Sequence, residues 1–159
     1  MTSSHRFTIV PDGPFSLSAS AQFGFGPQMG RPKADADTMA LAFVVDSFAS
    51  QASVFLRQDN KAKIHGEIYG SAEPKVVKKQ VARALSLDHS GAAWMQVGKR
   101  DRVIGQMQKD FPGLRPVLFY SPYEAAAWAV ISHRRHRART ARSFPVTAAL
   151  VASQNFSRH

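Results

Sequence analysis

The residues able to do chemistry are spread unevenly along this chain. Six arginines, Arg134, Arg135, Arg137, Arg139, Arg142 and Arg158, fall within residues 132–159, and no carboxylate accompanies them. Guanidinium groups at that density suit a polyanion, because each phosphate neutralised releases condensed counterions. A solvated tail that keeps the chain soluble explains the same composition equally well. Carboxylates that could serve as acid or base are few here: Asp101 and Glu124 both stand where a helix starts, so capping accounts for each of them. His65, His89, His133 and His136 lack the spacing of a metal set, although His133 and His136 stand at i, i+3, and the nearby arginines repel a cation. The absence of cysteine excludes disulfides, thiolate metal sites and a cysteine nucleophile together. Gly24-Phe-Gly26 lacks the strand and helix that would make it a phosphate loop and reads as a turn. No cofactor is expected.

The net charge of +10 over 159 residues divides sharply along the chain. Basic and acidic residues balance over residues 1–72, residues 73–131 carry an excess of four cations, and residues 132–159 carry only arginine. The positive field therefore lies in the second half, the asymmetry expected of a protein that meets nucleic acid. With 44% hydrophobic residues the chain can bury a core. No apolar run approaches the ~20 residues of a membrane span, and residues 1–6 lack the apolar core of a secretory signal, so a soluble, cytoplasmic protein is expected.

The elements that would position these groups differ between the halves. Residues 7–10, 39–45, 52–57 and 61–69 are rich in β-branched and aromatic residues and predict antiparallel strands, with Asp59-Asn60 turning the last two into a hairpin. Residues 15–23 fit strand and helix equally, since Phe15, Leu17, Ala19, Ala21 and Phe23 alternate while Phe15, Ala19 and Phe23 recur every fourth position. From Pro74 onward the pattern turns helical, with Val76, Val77, Gln80, Val81, Ala84 and Leu85 facing the sheet and Lys75, Lys78, Lys79 and Arg83 facing water. Asp101 starts a second helix with Val103, Ile104 and Met107 on its buried side, ended by Pro112-Gly113. Ser121-Pro-Tyr-Glu124 is a capping box, and the helix it opens is expected to run into the arginines, because neither Gly nor Pro intervenes before Pro145. Arg135, Arg139 and Arg142 would then form one ridge. Trp94, Trp128 and Tyr123 are read as core aromatics.

Asp110-Phe-Pro-Gly-Leu-Arg-Pro116 followed by Ser121-Pro-Tyr-Glu-Ala-Ala-Ala-Trp-Ala-Val-Ile-Ser132 resembles a stretch of the DNA-3-methyladenine glycosylase II family, in the helix-hairpin-helix DNA glycosylase superfamily. The resemblance extends over about residues 7–142. It implies an α+β fold: residues 1–88 as an N-terminal antiparallel sheet with covering helices, like half of the TATA-binding fold, and residues 89–142 as the start of an all-α region. Residues 143–159 show no resemblance. It also resolves residues 15–23 in favour of helix.

Within that comparison the chain lacks the family's chemistry. The resemblance implies a Leu/Phe-Pro-Gly-hydrophobic-Gly hairpin and, shortly after it, a catalytic aspartate; no glycine follows Gly113 and no acid follows Glu124. No catalytic residue is therefore assigned. At the family's wedge position stand His133 and Arg134, and the resemblance places Phe23 and Phe25 at the border of the base pocket. Arg134, Arg135, Arg137, Arg139 and Arg142 are the expected DNA-binding residues. The expected function is that of a DNA-repair-type protein in a truncated or non-catalytic form. The alternatives are a non-catalytic nucleic-acid-binding module, or a degenerate fragment that forms a homodimer through surface left by a missing domain.

Overall fold

The computed structural model describes residues 4–22 and 37–133. It is an α+β fold built on a four-stranded antiparallel sheet. The strands are β1 (Ser4–Ile9), β2 (Thr38–Val44), β3 (Gln51–Gln58) and β4 (Ile64–Gly70), in the order β1-β4-β3-β2. The first strand in sequence thus lies at the opposite edge from the second. The hairpin expected at Asp59 is present, but its tip is wider than the sequence suggests. Asp59 accepts from the amides of Lys61 and Lys63, both at 2.9 Å, so residues 61–63 form turn rather than strand. This is the local bond by which aspartate competes with a ladder.

Alternation along the strands puts one face of the sheet into the core. Leu41, Val54, Leu56, Ile64 and Ile68 pack with Leu17, Val77, Val81 and Leu85. Leu17 lies in α1 (Leu17–Gln22), so the helical reading of this segment holds, over a shorter span than expected. Val77 and Val81 lie in α2 (Pro74–Ala84) and Leu85 follows it; the helix begins with proline at its first turn as expected. Val76 departs from the expected stripe and is exposed, whereas Gln80 is fully buried. Its side chain accepts from the Asp46 amide at 3.2 Å and donates to the carbonyls of Val44 and Tyr120 at 3.0 and 3.1 Å. A buried amide is tolerated because its polar atoms are all engaged.

The helical half is built differently. Here α3 (Gly91–Arg100) and α4 (Arg102–Asp110) share Asp101, which ends the first and caps the second by accepting from Val103 and Ile104 at 2.8 and 3.0 Å. The cap is the expected one. The expected buried side is not: Val103 and Met107 are 67% and 52% exposed. In α5 (Pro122–Ser132) the capping box forms, with Ser121 Oγ accepting from the Glu124 amide at 3.2 Å. Glu124 reaches back to the Tyr120 amide at 3.1 Å.

This helix ends at Ser132, and at His133 the backbone turns to an extended ψ of 122°. The expectation of one continuous helix into the arginines is therefore corrected. Caps can be read locally, but a helix with no packed face has only local bonding to prolong it. None of the residues of α5 is buried, although its sequence is apolar on nearly every side. Trp94 and Tyr123, read as core, are 44% and 67% exposed, and Trp128 is half-buried, because no described element packs over the outer side of α3, α4 and α5. No described helix is long and apolar enough to cross a membrane.

Candidate nucleic-acid interface

The segment most suggestive in sequence, Gly113-Leu114-Arg115, is structural. Gly113 adopts a φ of +73°, and a Cβ there would meet the Phe15 carbonyl carbon and the Ser16 nitrogen, each at 2.9 Å. Its own carbonyl accepts from the Ser16 amide at 2.8 Å. Only glycine combines that backbone angle with that approach. Arg115 follows and is 5% exposed. Its guanidinium donates to the carbonyls of Pro14, Ser86, His89 and Asp12, and it lies 5.8 Å from the Phe15 ring centroid. Burial lowers its pKa from the ordinary arginine value, partly offset by the nearby charge of Asp12. The planar fork thus joins the turn after β1, the turn after α2 and the segment leading to α5. Its charge is spent inside the protein.

Other cations remain available. Arg83 is engaged, donating to both carboxylate oxygens of Asp46 at 2.8 Å and to the Tyr120 carbonyl at 2.6 Å. That bidentate contact holds the Asp46 carboxyl below its ordinary range. Lys75, Lys78 and Lys79 on α2, Lys99, Arg100 and Arg102 around the α3–α4 corner, and Lys109 in the last turn of α4 are exposed and form no ion pair among the described residues. The sequence assigned Lys75, Lys78 and Lys79 to the wetter side of a helix; the structure leaves all three exposed and without a direct ion pair among the described residues. The corner cations were not singled out, and the signal that would have found them is the one-residue join at Asp101, which sets Lys99, Arg100 and Arg102 about one bend.

Among the expected site residues, His133 is described. It is exposed and stands just past the end of α5. Phe23, Phe25, Arg134, Arg135, Arg137, Arg139 and Arg142 lie outside the described residues, as do His136 and residues 143–159. Of the carboxylates, Asp101 is used as a cap, and Asp110 accepts from Gln106 at 2.8 Å. Burial raises the Glu124 pKa, against the pull of the Tyr120 and Ser121 amides, but its carboxylate is committed to the helix start. Among the described residues no three His, Asp or Glu side chains gather as a metal site.

A shallow apolar groove with about 190 Å³ of space lies beside α3 and α4, lined by Trp94, Met95, Met107, Phe111 and Leu114. Its rim is continuous with the exposed helix faces described above.

No family model matches the sequence, and none of the curated proteins matches it. Among solved structures the fold is similar to that of a 3-methyladenine DNA-glycosylase from Archaeoglobus fulgidus, with a TM-score of 0.63 and 15% sequence identity. The match covers 86% of this chain and 47% of that one, so this chain spans about half the length of the similar structure. At that identity the likeness is one of fold alone: a four-stranded antiparallel sheet with helices.

Proposed function

We propose that this chain is a cytoplasmic DNA-repair-type protein on a DNA-glycosylase-like fold that binds the phosphate backbone of DNA without excising bases. The observation that carries the reading is charge. Lys75, Lys78, Lys79, Lys99, Arg100, Arg102 and Lys109 have no ion-pair partner among the described residues, and the sequence adds Arg134, Arg135, Arg137, Arg139 and Arg142 directly after α5. The fold likeness to a DNA-acting enzyme supports the same partner. Contacts of this kind position a protein on DNA without reading bases, so binding is indifferent to sequence and steeply weakened by salt.

Removal of alkylated bases by N-glycosidic hydrolysis, the activity that the resemblance implies for an intact family member, is not proposed for this chain. Stabilising the charge that develops as a base departs needs a free carboxylate, and its loss costs orders of magnitude in rate. Asp101, Asp110 and Glu124 are committed to helix starts or a neighbouring side chain. A single assay tests both parts: a salt titration of duplex binding, with release of free base followed on DNA carrying 3-methyladenine. Salt-dependent binding without base release is expected. Replacing Arg135, Arg139 and Arg142 with glutamine should flatten the salt slope by ~0.9 per lost contact, while replacing Lys61 and Lys63 should change duplex binding little.

A second reading, self-association, is favoured by a separate observation. Val103, Met107, Phe111, Tyr123 and Val130 are all more than half exposed on the helical half. Large apolar side chains exposed in this number are a feature of interaction surfaces. A homodimer through α4 and α5 would cover them, and sedimentation of the purified chain across a range of concentrations tests that.

A further inference from the structure

We propose that the face of the sheet turned away from the core cluster is a stacking platform for single-stranded nucleic acid. The register fixes which residues share this face. Across the sheet from β1 to β2 they lie in three rows: Thr8, His65, Arg57 and Thr38; Arg6, Glu67, Phe55 and Ala40; Ser4, Tyr69, Ser53 and Ala42. The clustered core residues of the strands lie on the other face; on this one Ala42 and Ser53 are buried, and Phe55 and Arg57 are exposed. No described helix packs here.

Three features of this face are unusual for a solvated sheet surface. The central strands β3 and β4 carry aromatics, Phe55 at 37% exposure and a half-buried Tyr69, placed diagonally on adjacent strands without a ring partner. Diagonal neighbours stand ~7–8 Å apart, within reach of two successive bases. Arg57 flanks Phe55 along β3, exposed and without a carboxylate partner, and Lys61 and Lys63 extend the positive edge over the hairpin tip. Beside Tyr69, its register partner Ser53 is nine-tenths buried, and its hydroxyl has no hydrogen-bond partner.

The carboxylates on this face are already engaged. Glu67, between Phe55 and Arg6, accepts from the Arg6 guanidinium at 3.3 Å, and Arg6 is itself largely exposed. Asp59 is held by His65 at 2.9 Å and by two backbone amides. Aromatic faces for bases and cations at the margin for phosphates form the chemical pattern that single strands recognise. A duplex, whose bases are already stacked, offers nothing to Phe55. The proposal is independent of the arginines after α5 and of the duplex binding assigned to them.

Fluorescence anisotropy with labelled oligothymidylate and oligouridylate of about 12 nucleotides, long enough for one such site, tests it on the full chain. Wild type should bind in a salt-sensitive manner, and the relative affinity of the two probes tells whether DNA or RNA is preferred. Phe55→Ala and Tyr69→Ala should each weaken binding by about 5- to 100-fold, the range for loss of one stacked base, while Phe55→Trp should retain it. The Trp variant separates stacking from folding. The Arg135, Arg139 and Arg142 glutamine variant should lose duplex affinity and keep most of its affinity for the homopolymers. Absence of wild-type binding to either probe, or unchanged binding by both alanine variants, overturns the proposal whatever the duplex titration shows.

Discussion

The Arg115 guanidinium lies so close to the Gly91 Cα that a Cβ at position 91 would stand 2.1 Å from one of its terminal nitrogens. The same Cβ would meet the Asp12 carbonyl oxygen at 2.7 Å, and the Gly91 amide already donates to that oxygen at 2.8 Å. A helix start, a turn more than seventy residues away in sequence and a buried cation are thus fitted at one point. Nothing larger than hydrogen is accommodated at 91.

Gly91→Ala should therefore destabilise the protein by about 1–3 kcal/mol, the usual cost of overpacking. Arg115→Met should cost at least as much, ~3 kcal/mol, because it leaves the carbonyls of Pro14, Ser86 and His89 without the guanidinium donor and the Asp12 carbonyl with only the Gly91 amide. Urea unfolding of both variants measures this. A loss below ~0.5 kcal/mol in Arg115→Met would show that the clamp does not hold the halves together.

Gln80 gives a second test of buried polar architecture. Gln80→Leu keeps the volume but leaves the Asp46 amide and the Val44 carbonyl unmet, whereas the Tyr120 carbonyl still receives Arg83. A loss of ~2 kcal/mol in thermal or denaturant unfolding is expected. Stability equal to wild type would mean that water replaces both bonds.

The pH response of two carboxylates should have opposite sign. Hydrogen bonds from His65 and from the Lys63 and Lys61 amides pull the Asp59 pKa down from 3.8 to about 2. Its contribution to stability is thus present above the unfolded value and is lost as pH falls through about 2. Burial raises the Glu124 pKa, so its ionisation opposes folding and its contribution improves as pH falls through that raised value. Carboxyl chemical shifts followed by NMR should give a midpoint near 2 for Asp59 and one above the ordinary glutamate value for Glu124. Asp59→Asn should remove the acid-side dependence attributable to the hairpin tip, and Glu124→Gln the component of opposite sign.

The exposed stripe of α4 should tolerate charge. Val103→Lys with Met107→Lys should leave the unfolding midpoint within ~0.5 kcal/mol of wild type, as for surface positions generally, and should lower any concentration-dependent association. Sedimentation velocity and a denaturation curve on the double variant read the two effects separately. Destabilisation by several kcal/mol would show that these side chains are covered in the native protein.

The sequence by itself determined the features that depend on neighbours within a turn or two. The alternation in β2, β3 and β4, the hairpin at Asp59, the caps at Asp101 and Ser121 and the proline-led start of α2 follow from local sterics and short-range hydrogen bonds, and all are present. The antiparallel α+β class followed from the order of those elements. What only the tertiary structure decided was which surfaces found a partner. Arg115 reads as one more cation in a basic half, yet its acceptors at Asp12 and Pro14 lie 103 and 101 residues away, and they turn it into a core residue. Val103 and Met107 carry a proper helical stripe, but burial needs an opposing surface, and none of the described elements supplies one. Phe55 and Tyr69, unremarkable in one dimension, become neighbours on one face of the sheet only through the register of β3 and β4. Periodicity tells a chain which side of each element prefers to leave water; whether it does so depends on contacts made across the whole chain.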